Sequence, residues 1–551
     1  MLKRHFLILT IFAAALHFWP SVHYQPILSQ EDHGRDLYTF AQIAHGKHIY
    51  KDMWWEYGPL MPYYYALFNI TFGLKITSVL LGKFILNILG SLFFYLASCE
   101  VMSAPWAFLA ACFFMQEQQD FFYTYNHIGG IVLFLALLWM ILLYIHQKNP
   151  RNIYWALGIA LLIGFIKINF GVSALAATLL SVSFADSRLR GNNTRDSLKI
   201  FYISGLFVVP LIWFGVYYCL LSGLTMTEIG QCLPYFGNNH NVTVSPLQSI
   251  QGYWLQNNIN FINDWLALLN QLLTSLSLLS TSVYLLRLTV YPLFFATLIA
   301  VLGLAFRREF KYKRREFWLI LCVVWIFIIL NFHEFMVSNT WYRSFWAQPF
   351  ILFFLFFILF TTVSHFPKKW RYWAGGFFIA FFITSTVNEW ITTKNSSTAD
   401  KFLTASSGQI YVGNKTEWVN TFNTVTVFLN KALKKDELFL ALPCDSLFYY
   451  LTDKPSPTRQ TIFFNANHIT PQQENSVIQD LKRKNVQYIL LSNRIKHPSP
   501  ELGEFGKTYC PLLYQYVMSN FKPFFRYGGN WEKPAGWASN HGVVLLKKGT
   551  H

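Results

Sequence analysis

The sequence predicts a polytopic α-helical membrane protein that ends in a soluble α/β domain. Three observations carry that expectation. The 551 residues are 54% hydrophobic and 19% aromatic, with only 13% charged. Apolar runs recur that are long enough to cross a bilayer, which takes about 20 residues. After residue 391 these runs stop, and short strand-like stretches such as LFLAL and VQYILLS stand beside the charged, helical QQENSVIQDLKRKN.

The first run, FLILTIFAAALHFW, follows MLKR as the core of a signal peptide would, but it continues through aromatic residues without a small-residue cleavage site. It reads as a retained first span. In order, the apolar segments place helices near 5–24, 76–99, 104–116, 128–146, 152–166, 169–185, 200–221, 282–305, 317–332, 345–364 and 373–390, about 11 transmembrane helices in all. The connections HQKNPRN, DSRLRGNNTRDSLK, FRREFKYKRRE and FPKKWR are basic and fall on one side with MLKR, the side that the positive-inside bias makes cytoplasmic. MQEQQDFFYTYNH and the stretch from Ser222 to Leu286 contain no Lys or Arg and belong outside. The segment PLMPYYYALFNITFG would invert every later loop if it were a span. It is therefore expected flat at the outer interface, where Tyr63, Tyr64 and Tyr65 meet headgroups and water together.

This gives a transmembrane module over 1–390, with a first outer loop over 25–75, and an outer-face α/β domain over 391–551 joined by the polar KNSSTADKF. That domain, of about 160 residues, is large enough for its own core. The expected setting is the bacterial inner membrane, with the N-terminus cytoplasmic and the C-terminal domain periplasmic. The net charge of +17 does not form one patch; its Lys and Arg recur at the ends of apolar runs as topology signals, which argues against nucleic acid as a partner. The seven cysteines show no paired metal spacing. Cys444 and Cys510 share the C-terminal domain and could bridge in an oxidising compartment, although two such cysteines more often simply pack.

The first outer loop is the exception to this economy of charge. It carries Glu31, Asp32, Arg35, Asp36, Lys47, Lys51, Asp52 and Glu56 next to Trp54, Trp55 and Tyr57. An exposed loop is ordinarily charged, but here three cations run against the positive-inside bias and the acids come in close groups. Carboxylates at a membrane surface can take a proton from a hydroxyl or hold a divalent metal, and neighbouring cations can bind a phosphate.

The stretch DHGRDLYTFAQIAHGKHIYKDMWWEYGPLMPYYYALFNITFG resembles the first outer loop of the GT-C glycosyltransferases, in particular bacterial relatives of the dolichyl-phosphate-mannose protein mannosyltransferases and of the lipid A aminoarabinose transferase. The match uses Asp32, Gly46, Tyr50, Asp52, Pro59, Leu60 and the pair Phe72 and Gly73. GFIKINFG, with Lys167, is similar to the family's loop between two helices, and WYRSFWAQPF, with Tyr342, Arg343 and Pro349, to its entry into a late helix. The chain departs from the family at Asp32 and His33, where Asp-Glu is usual, and at Asn126 and His127, where the second outer loop commonly carries an Asp. Glu117 and Asp120 are the carboxylates near that second position.

The resemblance implies transfer of a sugar from a polyprenyl-phosphate donor to a glycan, lipid or protein acceptor at the outer face, with inversion. On that reading Asp32 is the general base, chosen over Glu31 and Asp36. Lys167, Arg343, Lys83 and Arg35 are expected at the donor phosphate, where a leaving group gathers charge. Lys83 and Lys167 have snorkelling to the interface as their alternative role. Asp52, Trp54, Trp55, Glu56, Tyr57 and His127 are expected to contact substrate. A divalent cation, Mg or Mn, would draw on Asp32 with Glu117 and Asp120. Two rival classes share the architecture. A flippase or other polytopic lipid or glycan transporter would more naturally show internal repeats. An O-antigen ligase or polymerase would place its key residues in a large later loop such as Ser222 to Leu286.

Overall fold

The computed structural model describes residues 2–23, 25, 31–119, 125–186, 195–233, 315–334 and 345–363, and single positions between 369 and 391. In the C-terminal part it describes 402–405, 408–412, 417–495, 503–533, 535–536 and 539–549. Helix α1 (Leu2–Phe18) runs into a single 3-10 turn ending at Val22. After it come α2 (Glu31–Ala44), α3 (Leu60–Phe72), α4 (Ile76–Cys99), α5 (Ala104–Gln119), α6 (Tyr125–Gln147), α7 (Pro150–Gly164) and α8 (Ile168–Asp186). Helix α9 (Arg195–Ile203) continues through a π turn at Ser204–Val208 into α10 (Val209–Leu221), and α11 (Met226–Cys232) is short. Later in the chain lie α12 (Arg315–Asn331) and α13 (Gln348–Val363). The expected segment 282–305 falls outside the described residues, as do seven of the eighteen positions of 373–390.

Among the described residues five helical stretches are long and apolar enough to cross a membrane: Leu2–Val22, Ile76–Cys99, Tyr125–Gln147, Ile168–Ala185 and Leu198–Leu221. Three shorter apolar helices, Ala104–Gln116, Glu316–Asn331 and Gln348–Thr361, pack among them. The chain is an integral membrane protein. Helix α6 is the most enclosed of the five, flanked by α4, α7 and α8. It begins at Tyr125, Asn126 and His127, which lie inside the bundle and are buried.

The C-terminal part is mixed α/β. A hairpin of β1 (Phe402–Ala405) and β2 (Gly408–Tyr411) precedes α14 (Glu417–Ala432), β3 (Phe439–Leu442), α15 (Leu447–Thr452), α16 (Pro471–Arg483), β4 (Tyr488–Ser492), α17 (Pro511–Asn520), β5 (Phe521–Gly528) and β6 (Gly542–Lys548). Four strands form one sheet in the order β3-β4-β6-β5, parallel between β3 and β4 and antiparallel elsewhere. Strands β3 and β4 are buried along their whole length, as befits the apolar FLAL and YILLS. Cys444 and Cys510 are buried here as free thiols, so the bridge considered from the sequence is not formed.

The charged segment expected as an outer loop is not a loop throughout. Its first half is α2, and α3 packs against one side of this helix and α15 of the C-terminal part against another. His33 through Ile43 are all buried, charged residues included. Two hydrogen bonds reach the same helix and the segment after it from the C-terminal part: Ser456 N–H donates to Tyr38 Oη at 2.9 Å, and Trp54 N–H to the Arg459 carbonyl at 2.9 Å.

Candidate active site at the helix ends

Arg35 is the centre of the site. It is 1% exposed, and burying a guanidinium is costly unless carboxylates surround it. Three do: Asp32 at 3.0 Å, Asp36 at 2.8 Å, and Glu56, which lies 21 residues away in sequence. The aromatic rings of Trp55 and Tyr57 complete the shell, each 5.2 Å from the guanidinium. The three carboxylates differ in access: Asp36 is fully buried, Glu56 is 23% exposed and Asp32 is 38% exposed. Burial pushes the Asp36 carboxyl up to about 7, against the pull of Arg35.

The segment that delivers Glu56 and Tyr57 is held at several points. Tyr50 adopts a left-handed backbone (φ 67°), its hydroxyl donates to the Tyr57 carbonyl at 2.5 Å, and its own carbonyl accepts from Arg459 Nε at 2.6 Å. Arg459 also pairs with Glu228 of α11 at 2.8 Å. The Trp55 indole donates to the Gly58 carbonyl at 3.1 Å. Gly58 then docks on the corner between α7 and α8, with its N–H on the Ile166 carbonyl at 2.8 Å. A Cβ at Gly58 would sit 2.1 Å from the Phe165 carbonyl oxygen, so this approach requires glycine.

That corner presents Lys167. GFIKINFG breaks the helix between Gly164 and Ile168, and its two glycines let α7 and α8 meet, since a Cβ on Gly171 would lie 2.4 Å from the Gly164 Cα. Lys167 is 7% exposed, pairs with Glu334 just beyond α12, and stands 5.2 Å from the Tyr57 ring. Tyr57 thus lies between two cations, Arg35 and Lys167. Its edge also meets the His127 ring at 5.6 Å, and His127 in turn contacts Phe345 and Trp346, each at 5.3 Å.

Lys83, in α4, has a different environment. Its ammonium reaches Gln25 Oε1 at 3.4 Å, and among the described residues it forms no ion pair with a carboxylate. Beside it His33 is fully enclosed. Burial pushes that imidazole down to about 3, with Lys83 and Arg35 adding to the effect and Asp32 opposing it, so the ring is neutral.

The structure therefore gathers Asp32, Arg35, Asp36, Trp55, Glu56, Tyr57, His127 and Lys167 into one region. Trp54 is buried at its edge. Asp52 does not join; it is exposed and closes its own turn by accepting from the His48 amide at 2.7 Å. Glu31 opens α2, but its side chain lies outside the described residues, as do the Glu117 side chain, Asp120 and Arg343. Sequence reading missed Glu334 as the partner of Lys167. The adjacent His333 meets the Asn169 amide at 2.7 Å. The available signal was a carboxylate at the end of an apolar run. Among the described residues no three His, Cys, Asp or Glu side chains gather into a metal site.

No family model matches the chain. No curated protein matches it in sequence. Solved structures do match in fold. ArnT from Cupriavidus metallidurans bound to undecaprenyl phosphate aligns over 98% of this chain and 97% of that chain, at 12% identity and a TM-score of 0.53. The apo state of the same protein aligns over the same shares at 12% identity and a TM-score of 0.52. A weaker likeness is to the Archaeoglobus fulgidus oligosaccharyltransferase in complex with Zn and sulfate, over 95% of this chain and 72% of that chain, at 14% identity and a TM-score of 0.47.

Proposed function

We propose that this chain, whose fold is that of the GT-C glycosyltransferases, is a membrane glycosyltransferase that moves a sugar from a polyprenyl-phosphate donor to an acceptor hydroxyl at the outer face of the membrane. The observation that carries the reading is the site itself: an accessible carboxylate, Asp32, next to buried cations at the outer ends of apolar helices. An acceptor arriving from water and a donor arriving from lipid meet at that level. The likeness to ArnT, in the form bound to undecaprenyl phosphate, supports a lipid-borne donor.

In the reaction the acceptor oxygen bonds to the anomeric carbon, its proton passes to Asp32, and the bond from that carbon to the phosphate oxygen breaks with inversion. Polyprenyl phosphate leaves with one more negative charge than it carried as a diester, and cations already in place stabilise that charge as it forms. Arg35 and Lys167 each have carboxylates of their own, so their net field is small. Lys83 has none among the described residues and is the cation we assign to the phosphate, with Lys167 and Arg35 behind it. Arg343, which lies outside the described residues, is assigned to the same phosphate. Tyr57, Trp55, Glu56 and His127 wall the sugar site. The expected divalent cation, Mg or Mn, has Asp32 as its described ligand, and Arg35 already holds Asp32. The other two expected ligands, the Glu117 side chain and Asp120, lie outside the described residues.

The same reading sets about eleven spans, the N-terminus in the cytoplasm and residues 391–551 in the periplasm of a bacterial inner membrane. The domain contacts of Arg459 and Ser456 with the outer loop support that side for the C-terminal part. Comparing envelope glycans by mass spectrometry with and without the gene tests the function. One glycan missing a single sugar residue is the expected result; an unchanged envelope overturns it.

A further inference from the structure

A cleft of about 320 Å³ lies on the other side of α2 from Asp32, between α2, the start of α4 and α15. Its lining includes Tyr38, Gln42, Lys75, Tyr449, Tyr450 and Asp453. The volume is within the range of small-molecule sites, about 300–1,000 Å³. Its chemistry is mixed in a particular way. Gln42 is only 8% exposed, yet among the described residues its side-chain amide makes no hydrogen bond, so a donor and an acceptor face the cleft from its floor. The rings of Tyr38 and Tyr449, 5.3 Å apart, form a wall. Their hydroxyls are already engaged, Tyr38 Oη accepting from Ser456 N–H and Tyr449 Oη from Ala441 N–H. At the mouth stand the exposed Lys75 and Asp453, the latter 59% exposed and 3.6 Å from His45.

An amide, a carboxylate, an ammonium and aromatic walls together suit a neutral ring bearing several hydroxyls, each of which both donates and accepts. A bare phosphate suits the set poorly, because Asp453 would repel it. Lys75 caps α4 at the outer end of a membrane-crossing helix, so the cleft opens at the bilayer surface. Gln42 lies ten residues beyond Asp32 on the same helix, about 15 Å at 1.5 Å per residue. The geometry points to a second carbohydrate site: a cleft that holds a distal sugar of the acceptor while another of its hydroxyls lies at Asp32. This rests on the glycosyl-transfer reading above.

The test uses the full chain in phosphatidylcholine nanodiscs, applied to an array of lipid-free bacterial envelope oligosaccharides, with undecaprenyl phosphate binding measured in parallel. The expected result is that the unaltered protein binds at least one neutral oligosaccharide. Gln42→Ala and Asp453→Asn should weaken that binding at least tenfold and leave undecaprenyl phosphate binding unchanged. Lys75→Met, at the exposed mouth, serves the same purpose if Gln42→Ala does not fold. Binding to no oligosaccharide, or equal binding by all variants, overturns the proposal. So does displacement of the oligosaccharide by phosphatidylethanolamine in the disc, which would make this a lipid headgroup site. Oligosaccharide binding that depends on Gln42, in a protein that never binds undecaprenyl phosphate, keeps the cleft and removes the glycosyl-transfer reading.

Discussion

Arg35 and Asp36 are neighbours in the chain and also in space: the guanidinium donates from Nε at 3.0 Å and from Nη2 at 2.8 Å to one carboxylate oxygen of Asp36. The pair is sealed between the membrane helices and the C-terminal part, and burial still pushes Asp36 up to about 7. Below that pH Asp36 is neutral and the cluster is less negative, which favours an anionic donor. The KM for the polyprenyl-phosphate donor should therefore rise as pH goes from 6 to 8, and Asp36→Asn should flatten that rise. The same raised value means that the folded state holds this proton where the unfolded chain has lost it. Stability contributed at Asp36 is thus present at low pH and falls as pH climbs from about 4 through 7. Thermal unfolding across that window, compared with Asp36→Asn, checks the sign.

Lys83 and Lys167 should respond differently to truncation. Lys83→Ala removes a cation without a carboxylate partner among the described residues, so fold stability should change little. Undecaprenyl phosphate affinity should fall by about 1.5–3 kcal/mol, the usual worth of a charged hydrogen bond. Lys167→Ala strands the buried Glu334 and should destabilise the protein by about 3–5 kcal/mol, whereas replacing both members with apolar residues should recover most of it. Thermal shift and lipid-binding titrations separate the two. Equal stability loss in both single variants would contradict this assignment.

Arg459 ties the C-terminal part to the active-site segment through Tyr50 and to α11 through Glu228. Arg459→Met should lower kcat more than it raises donor KM, because Glu56 and Tyr57 lose their fixed position while Lys83 keeps its own. Arg459→Lys should restore little, since one ammonium cannot reproduce the forked contact. Steady-state kinetics of the two variants provide the check.

The apolar elements were legible because their signal is local. Helix α4 was expected over 76–99 and spans Ile76–Cys99, a largely apolar run interrupted by Lys83 and flanked by Lys75 and Glu100. The charged first half of the outer loop was read as a loop, and it is the buried helix α2. What hides it in the sequence is that its polar residues satisfy one another across distance: Arg35 needs Glu56, and Tyr38 needs Ser456. No periodicity shows such partners. Lys167 stood out as a charge at a helix break, but Glu334 lies 167 residues away, and its pairing depends on how α8 and α12 pack. The choice of Asp32 over Asp36 gains a physical reason that the sequence lacked, namely exposure of one and burial of the other.

The central claim is that Asp32 takes the acceptor's proton. Asp32→Asn keeps the size of the side chain and much of its hydrogen bonding to Arg35 while removing the basic oxygen. The measurement is sugar transfer in liposomes from a polyprenyl-phosphate sugar, by the unaltered protein and by Asp32→Asn at equal amounts of folded protein. The account predicts turnover at least about 10²-fold lower in the variant, the usual scale of a general base, with undecaprenyl phosphate binding intact. Full turnover by Asp32→Asn, beside an inactive Glu31→Gln or Asp36→Asn, would contradict it.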